Sequence, residues 1–172
     1  MVNWIRGLQG KYHIWLVPGI EYRSGNLYDS IGNFVEKTSK AIVLHNQVEN
    51  VLLHAPVSEA KKKSFEYQSF QILFNLNKAL WKQARSWNLY LAINHDTPQS
   101  KQSKMELESM MSKLNREIER SLDVLTTVSV SLLNVELAHG DAELDRLLNE
   151  LDESNRRLRE LSDAYKDSKN II

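Results

Sequence analysis

Cysteine is absent from the 172 residues. Its absence removes disulfides, thiolate catalysis, iron–sulfur clusters and cysteine-ligated zinc, and fits a reducing compartment. With only three prolines and six glycines, little in the chain punctuates regular structure, so long elements are open to it. No segment reaches the roughly twenty apolar residues that a membrane-spanning helix needs. The longest charge-free stretch of the distal half, Val124 to Val135, is far shorter. Met1 to Val17 is interrupted by Arg6, Gln9, Lys11 and His13 and ends without a small-residue cleavage site, so it does not read as a signal peptide. A cytoplasmic location is the expectation.

What is present is unevenly shared. Thirteen of the fourteen aromatic residues lie at or before Tyr90, and beyond it only Tyr165 remains, in a stretch rich in leucine. Charge divides similarly, with 13 Lys/Arg against 7 Asp/Glu from Met1 to Lys104 and 9 against 15 from Met105 to Ile172. A basic half and an acidic half thus cancel to a net charge of zero. Their surfaces are expected to meet, within one molecule or across a dimer. Hydrophobic content of 42% and charged content of 26% fit a folded chain of about one domain.

Periodicity predicts an all-α fold: an elongated bundle of four long helices at about 27–54, 58–93, 98–139 and 141–167. The first 26 residues form a separate arm, either irregular or a small hairpin in which Tyr12–Val17 turns at Pro18–Gly19 and returns through Ile20–Arg23. Residues 27–172 then form a single helical-bundle domain. In the first helix Ile31, Phe34, Val35, Thr38, Ala41, Ile42, His45, Val48 and Leu52 recur at steps of three and four, which places them on one stripe. Pro56 ends that helix, and Ser58 followed by Glu59 resembles a new N-cap with an acidic first turn. The second helix is apolar over a wide arc, including Phe65, Phe70, Ile72, Leu73, Phe74, Leu76, Leu80 and Trp81, and is expected to touch at least two neighbours.

Thr97 and Pro98 supply an N-cap and a first helical residue for the third segment. Its series Leu107, Met111, Leu114, Ile118, Leu122, Leu125, Val128, Leu132 and Val135 is the strongest periodic signal in the chain. Gly140 and Asp141 suit a C-terminal cap and a new N-cap, so the last two helices are expected to be antiparallel neighbours. The final helix carries Leu144, Leu147, Leu148, Leu151, Leu158, Leu161 and Tyr165, with a polar interruption at Ser154 and Asn155.

Helices this long reach about 40 to 60 Å. Leucine seams that project beyond a bundle need a partner, which makes Leu144, Leu148, Leu151, Leu158, Leu161 and Tyr165 the expected protein interface, to a second copy or to another helical protein. A basic face on the second helix, Lys61, Lys62, Lys63, Lys78, Lys82 and Arg85, is the alternative interface, for nucleic-acid phosphates. Trp81 or Trp87 would stack on bases there.

Metal and catalytic readings are weaker. Glu136 and His139 have the Glu-x-x-His spacing of carboxylate-bridged di-iron bundles, but the second such pair that architecture needs is missing. His45 and Glu49 share a helical face, whereas His54 lies about 180° away from His45. His95 and Asp96 sit where a turn is expected. Neither a Gly-x-Ser-x-Gly elbow nor a phosphate-cradling glycine loop occurs. Trp4, Ile5, Leu8, Trp15 and Leu16 beside Arg6 and Lys11 could meet a membrane interface, against which glycines 7 and 10 and competing burial on the bundle argue. The sequence therefore points to a non-enzymatic helical interaction or assembly protein that self-associates through leucine-rich helices, with no catalytic, cofactor or metal residues assigned. A helical subunit of a nucleic-acid complex is the alternative, and a metal-dependent helical-bundle enzyme the remote one.

Overall fold

A computed structural model describes residues 27–93, 97–138 and 141–164. All of its elements are helices: α1 Leu27–His54, α2 Glu59–Ala92, α3 Pro98–Ala138 and α4 Asp141–Ala164. The fold is an all-α helical bundle. The arm expected over residues 1–26, together with His139, Gly140 and Tyr165, lies outside the described residues.

The helix boundaries follow from local chemistry. Ser58 is the N-cap of α2, with extended backbone at φ −60° and ψ 146°, and its side chain accepts from the Lys61 N–H. It therefore stands just outside the helix, not in its first turn. At the start of α3, the Ser100 N–H donates to Thr97 Oγ1 at 3.1 Å and the Thr97 N–H donates to Ser100 Oγ at 2.9 Å. This is a reciprocal capping box in which serine replaces the more usual glutamate. Between α1 and α2 the chain reverses within a few residues, and Ala55 and Val57 on either side of Pro56 are both buried. The connection is thereby packed into the bundle.

Side-chain contacts fix the directions. Lys37 reaches Asn115 and Glu119, and Gln47 reaches Ser129, so α1 and α3 run parallel. Lys61 meets Asp141 and Asp145, Gln68 meets Asp152, and Lys78 meets Asp163, so α2 and α4 run parallel as well. Helices α2 and α3 pack on each other, and each also packs on both α1 and α4, whereas α1 and α4 share no comparable interface. The antiparallel α2–α3 pair is thus the spine, with α1 in one of its grooves and α4 in the other.

One apolar cluster draws on all four helices. From α3 it takes Leu114, Ile118, Leu122, Leu125, Val128 and Leu132, each exposed by 1% or less. The heptad-like series read from sequence is therefore the inward stripe of the spine. Each fully buried leucine contributes about 1.5–3 kcal/mol relative to an exposed one, so the stripe dominates the packing energy of this helix.

Candidate interaction surface

The leucines of α4 turn inward. Leu144, Leu151 and Leu158 are buried in the common cluster, and Leu148 and Leu161 pack half-buried against it. Tyr165, the last residue of the expected seam, is not among the described residues. The polar interruption at Ser154 and Asn155 belongs to the same inward face, since both side chains are buried. Ser154 Oγ donates to Ser121 Oγ at 2.9 Å, and Asn155 Nδ2 donates to the Gln68 backbone carbonyl at 2.9 Å and to its side-chain carbonyl at 2.8 Å. Asn75 Nδ2 in turn donates to Asn155 Oδ1 at 3.1 Å. A buried amide cluster of this kind forms in one alignment of α4 on α2 and is broken by a slip, so it sets the register of the pair.

Two of the six cations expected to form a basic face on α2 meet α4 instead. Lys61 Nζ lies 3.0 Å from Asp141 and 2.9 Å from Asp145, and Lys78 Nζ lies 3.1 Å from Asp163. Hydrogen bonds first to Asp145 and then to Asp141 raise the Lys61 pKa above its ordinary value. Lys62 pairs with Glu59 at 3.4 Å, Lys82 is half-buried, and Lys63 and Arg85 are exposed. Of the two alignments open to the charge division, the described ion pairs realise the intramolecular one along α2 and α4. Other α4 charges form ladders on its own surface, where Arg146 bridges Glu143 and Glu150, and Arg156 bridges Glu153 and Glu160. Arg156 and then Arg157 hold the Glu153 pKa below the usual carboxylate range.

The large apolar side chains that α2 leaves exposed are both aromatic. Tyr67 is 61% exposed and Phe74 46% exposed, and Trp81, seven residues further on, is half-buried. Seven residues carry a helix through two turns with a drift of about 20°, so these three rings form one outward row. Arg85 lies over the Trp81 ring, 5.7 Å from its centroid, within the range of a cation–π contact. Lys63 and Arg85 stand one helical turn beyond the two ends of the row. Phe70 lies beside it, half-buried against the His45 ring with centroids 6.1 Å apart. In the sequence the row was hidden among the many apolar residues of α2. Its signal was the spacing of seven between Tyr67, Phe74 and Trp81.

Trp87 is also half-buried, and stacks on Tyr90 at 5.3 Å with an interplanar angle of 7°. Lys104 lies over the Tyr90 ring at 5.4 Å. A hydrogen bond to Glu108 raises the Tyr90 pKa. This cluster ties the end of α2 to the start of α3, which is a packing role.

His45, Glu49 and Ser69 do come together. Ser69 Oγ lies 2.9 Å from His45 Nδ1, and Glu49 Oε1 lies 3.3 Å from His45 Nε2. Nucleophile, base and acid are thus present in order, but Ser69 is 0% exposed and His45 2%, so no substrate carbonyl can approach the hydroxyl. The Ser69 hydroxyl donates instead to the Glu66 backbone carbonyl at 3.1 Å, and the set pins α1 to α2. His54 is exposed and stands apart. The Glu136 side chain, His139, His95 and Asp96 fall outside the description. Among the described residues no three His, Asp or Glu side chains gather as a metal-ligand set, and no helix is long and apolar enough to cross a membrane.

Comparison with protein-family models, with curated proteins and with solved structures yields no match.

Proposed function

We propose that this chain is a non-enzymatic helical interaction protein that docks a partner along the outward face of α2. The observation behind this reading is the row of Tyr67, Phe74 and Trp81, two of whose rings stay 61% and 46% exposed, on a helix that already packs against three others. Leaving large aromatic side chains in water forgoes burial energy that the same residues recover at an interface, where tyrosine and tryptophan are enriched. The burial of Leu144, Leu151 and Leu158 in the chain's own core moves the interface away from the leucines of α4. A coiled-coil contact through those leucines would require the bundle to open.

Photo-crosslinking tests the reading in cells. A photoreactive phenylalanine analogue at position 67 or 74 is expected to give a discrete adduct, and the same group at the exposed Asn149 of α4 to give none. Equal labelling from all three positions, or none from 67 and 74, would defeat the proposal. The nucleic-acid reading retains Lys63 and Arg85 as exposed cations, but Lys61 and Lys78 are neutralised by α4 aspartates, which lowers the phosphate contacts that face can make. A reducing, cytoplasmic setting, suggested by the lack of cysteine, is part of the same proposal.

A further inference from the structure

We infer that the buried set of His45, Glu49 and Ser69 is a proton-operated latch between α1 and α2, closed by a doubly protonated His45 ring and loosened when that ring loses a proton. This device is internal to the chain and independent of the docking face. Its first support is a count of protons. The Ser69 hydroxyl has one proton, and the Glu66 backbone carbonyl at 3.1 Å accepts it. Ser69 Oγ can then meet His45 Nδ1, 2.9 Å away, only as the acceptor of a ring N–H. On the other side of the ring Glu49 Oε1 lies 3.3 Å from Nε2. An ionised carboxylate has no proton to give, so Nε2 donates as well. A ring that donates from both nitrogens is an imidazolium.

The surroundings suit that charge. The Glu49 side chain is 43% exposed and that of His45 3%, so the carboxylate end keeps its water and the pair avoids the full cost of burying two ions. Contact between Gln47 and Ser129 sets this part of α1 level with Val124–Val135 of α3, a stretch without a charged residue. Helix α4 shares no comparable interface with α1. Within two turns of Ser69, α2 carries Lys62, which is paired with Glu59, and the exposed Lys63 and Glu66. Over the same span of α1, the charged residue besides Glu49 is Lys40, exposed and about 140° around the helix from His45. Rotation of one hydroxyl supplies the open state. When Nδ1 gives up its proton, the Ser69 hydroxyl can swing to donate to it, while the Glu66 carbonyl keeps its helical N–H partner. Neither state strands a buried group, and the ion pair with Glu49 is what deprotonation removes. A histidine in an unfolded chain releases its second proton near pH 6.5. Held by two acceptors, the folded ring keeps it to higher pH. The stability contributed by the latch is therefore fully present below about pH 6.5 and is lost as pH rises through the folded midpoint.

Long-range proton–nitrogen correlation spectra of the full chain, isotope-labelled in histidine, read the protonation of each ring nitrogen. His45 is assigned by the signals that His45→Gln removes. At about pH 7 both of its nitrogens are expected to carry protons, and the ring to titrate about one pH unit or more above an ordinary histidine, which is at least roughly tenfold tighter proton binding. Glu49→Gln should lower that midpoint by about one unit, because the amide still accepts from Nε2 but brings no charge. In urea titrations the gap in unfolding midpoint between wild type and His45→Gln should be widest near about pH 6 and shrink toward about pH 9. One protonated and one bare nitrogen at neutral pH, a ring midpoint at or below the ordinary value, or a midpoint that Glu49→Gln leaves in place would each overturn the inference. A stability gap that stays level or widens toward high pH would do the same. Circular dichroism checks the fold of Glu49→Gln, and if that variant does not fold, the wild-type spectra decide the question.

Discussion

Replacing Leu151 with alanine removes a side chain that is 0% exposed and sits in the cluster shared by all four helices. Neighbours on α2 and α3 are themselves close-packed, so the space left behind closes only in part. The cost is then the lost transfer energy plus a cavity contribution, about 2–5 kcal/mol for a fully buried leucine. We take about 3 kcal/mol, near the lower middle of that range, because helix α4 flanks the spine and can relax toward it. For a chain of this length about 2–4 °C of melting temperature is lost per kcal/mol, so the transition should fall by roughly 6–12 °C. Thermal circular dichroism at several protein concentrations measures this. The leucine acts within one molecule, so the loss should be the same at every concentration, whereas a leucine at a subunit interface makes the melting temperature concentration-dependent. A change of less than about 1 kcal/mol, or a wild-type melting temperature that climbs with concentration and ceases to do so in Leu151→Ala, would refute the reasoning.

Three other outcomes follow from the same geometry. Asn155→Ala should destabilise by about 1–3 kcal/mol in urea titrations, because it strands the buried amide of Asn75 and carbonyl groups of Gln68. The Asn75→Leu, Asn155→Leu double variant should recover only part of that loss, since the Asn75 amide leaves with its acceptor while the Gln68 carbonyl groups still lack the Asn155 donor. A double-mutant cycle on Lys78 and Asp163, which are 35% and 43% exposed, should give a coupling of only about 0.2–1 kcal/mol that shrinks in high salt. The acid limb of stability should depend on Glu153. Its folded pKa lies below the ordinary value of 4.5 because of Arg156 and Arg157, so its contribution is present above that value and is lost as pH falls through the folded pKa. Wild type should therefore exceed Glu153→Gln in melting temperature at pH 7, and the difference should vanish at the acid end. A difference that stays constant across the range would contradict that assignment.

The helices were legible because their signals are local. Thr97 and Pro98, Ser58 and Glu59, and the three-and-four spacing of Leu114, Ile118, Leu122 and Leu125 act within one or two turns, and each marks a real boundary or stripe. What could not be read was which neighbour each stripe would meet. The α4 leucines have the pattern of a seam whether they pack on another chain or on the same one, and only the arrangement of α2 and α3 decides that they turn inward. Ser154 and Asn155 read as a break in that seam because their partners, Ser121, Gln68 and Asn75, are tens of residues distant. Likewise the six cations of α2 formed one face on paper, until Asp141, Asp145 and Asp163 were placed beside two of them. The row made by Tyr67, Phe74 and Trp81 was not legible for the opposite reason. Aromatic residues at helical spacing are usually core, and only the solvent exposure of Tyr67 and Phe74 separates them from Phe65, which is fully buried.

The account depends most on which apolar side chains of this chain meet solvent, and hydroxyl-radical labelling read by mass spectrometry measures that residue by residue. Labelling over a hundredfold range of protein concentration should modify Tyr67 and Phe74 readily and leave Leu144, Leu151 and Leu158 protected throughout. Leucines that react in dilute solution and become protected as concentration rises would place the interface back on α4. That result would contradict the assignment of the docking face to α2.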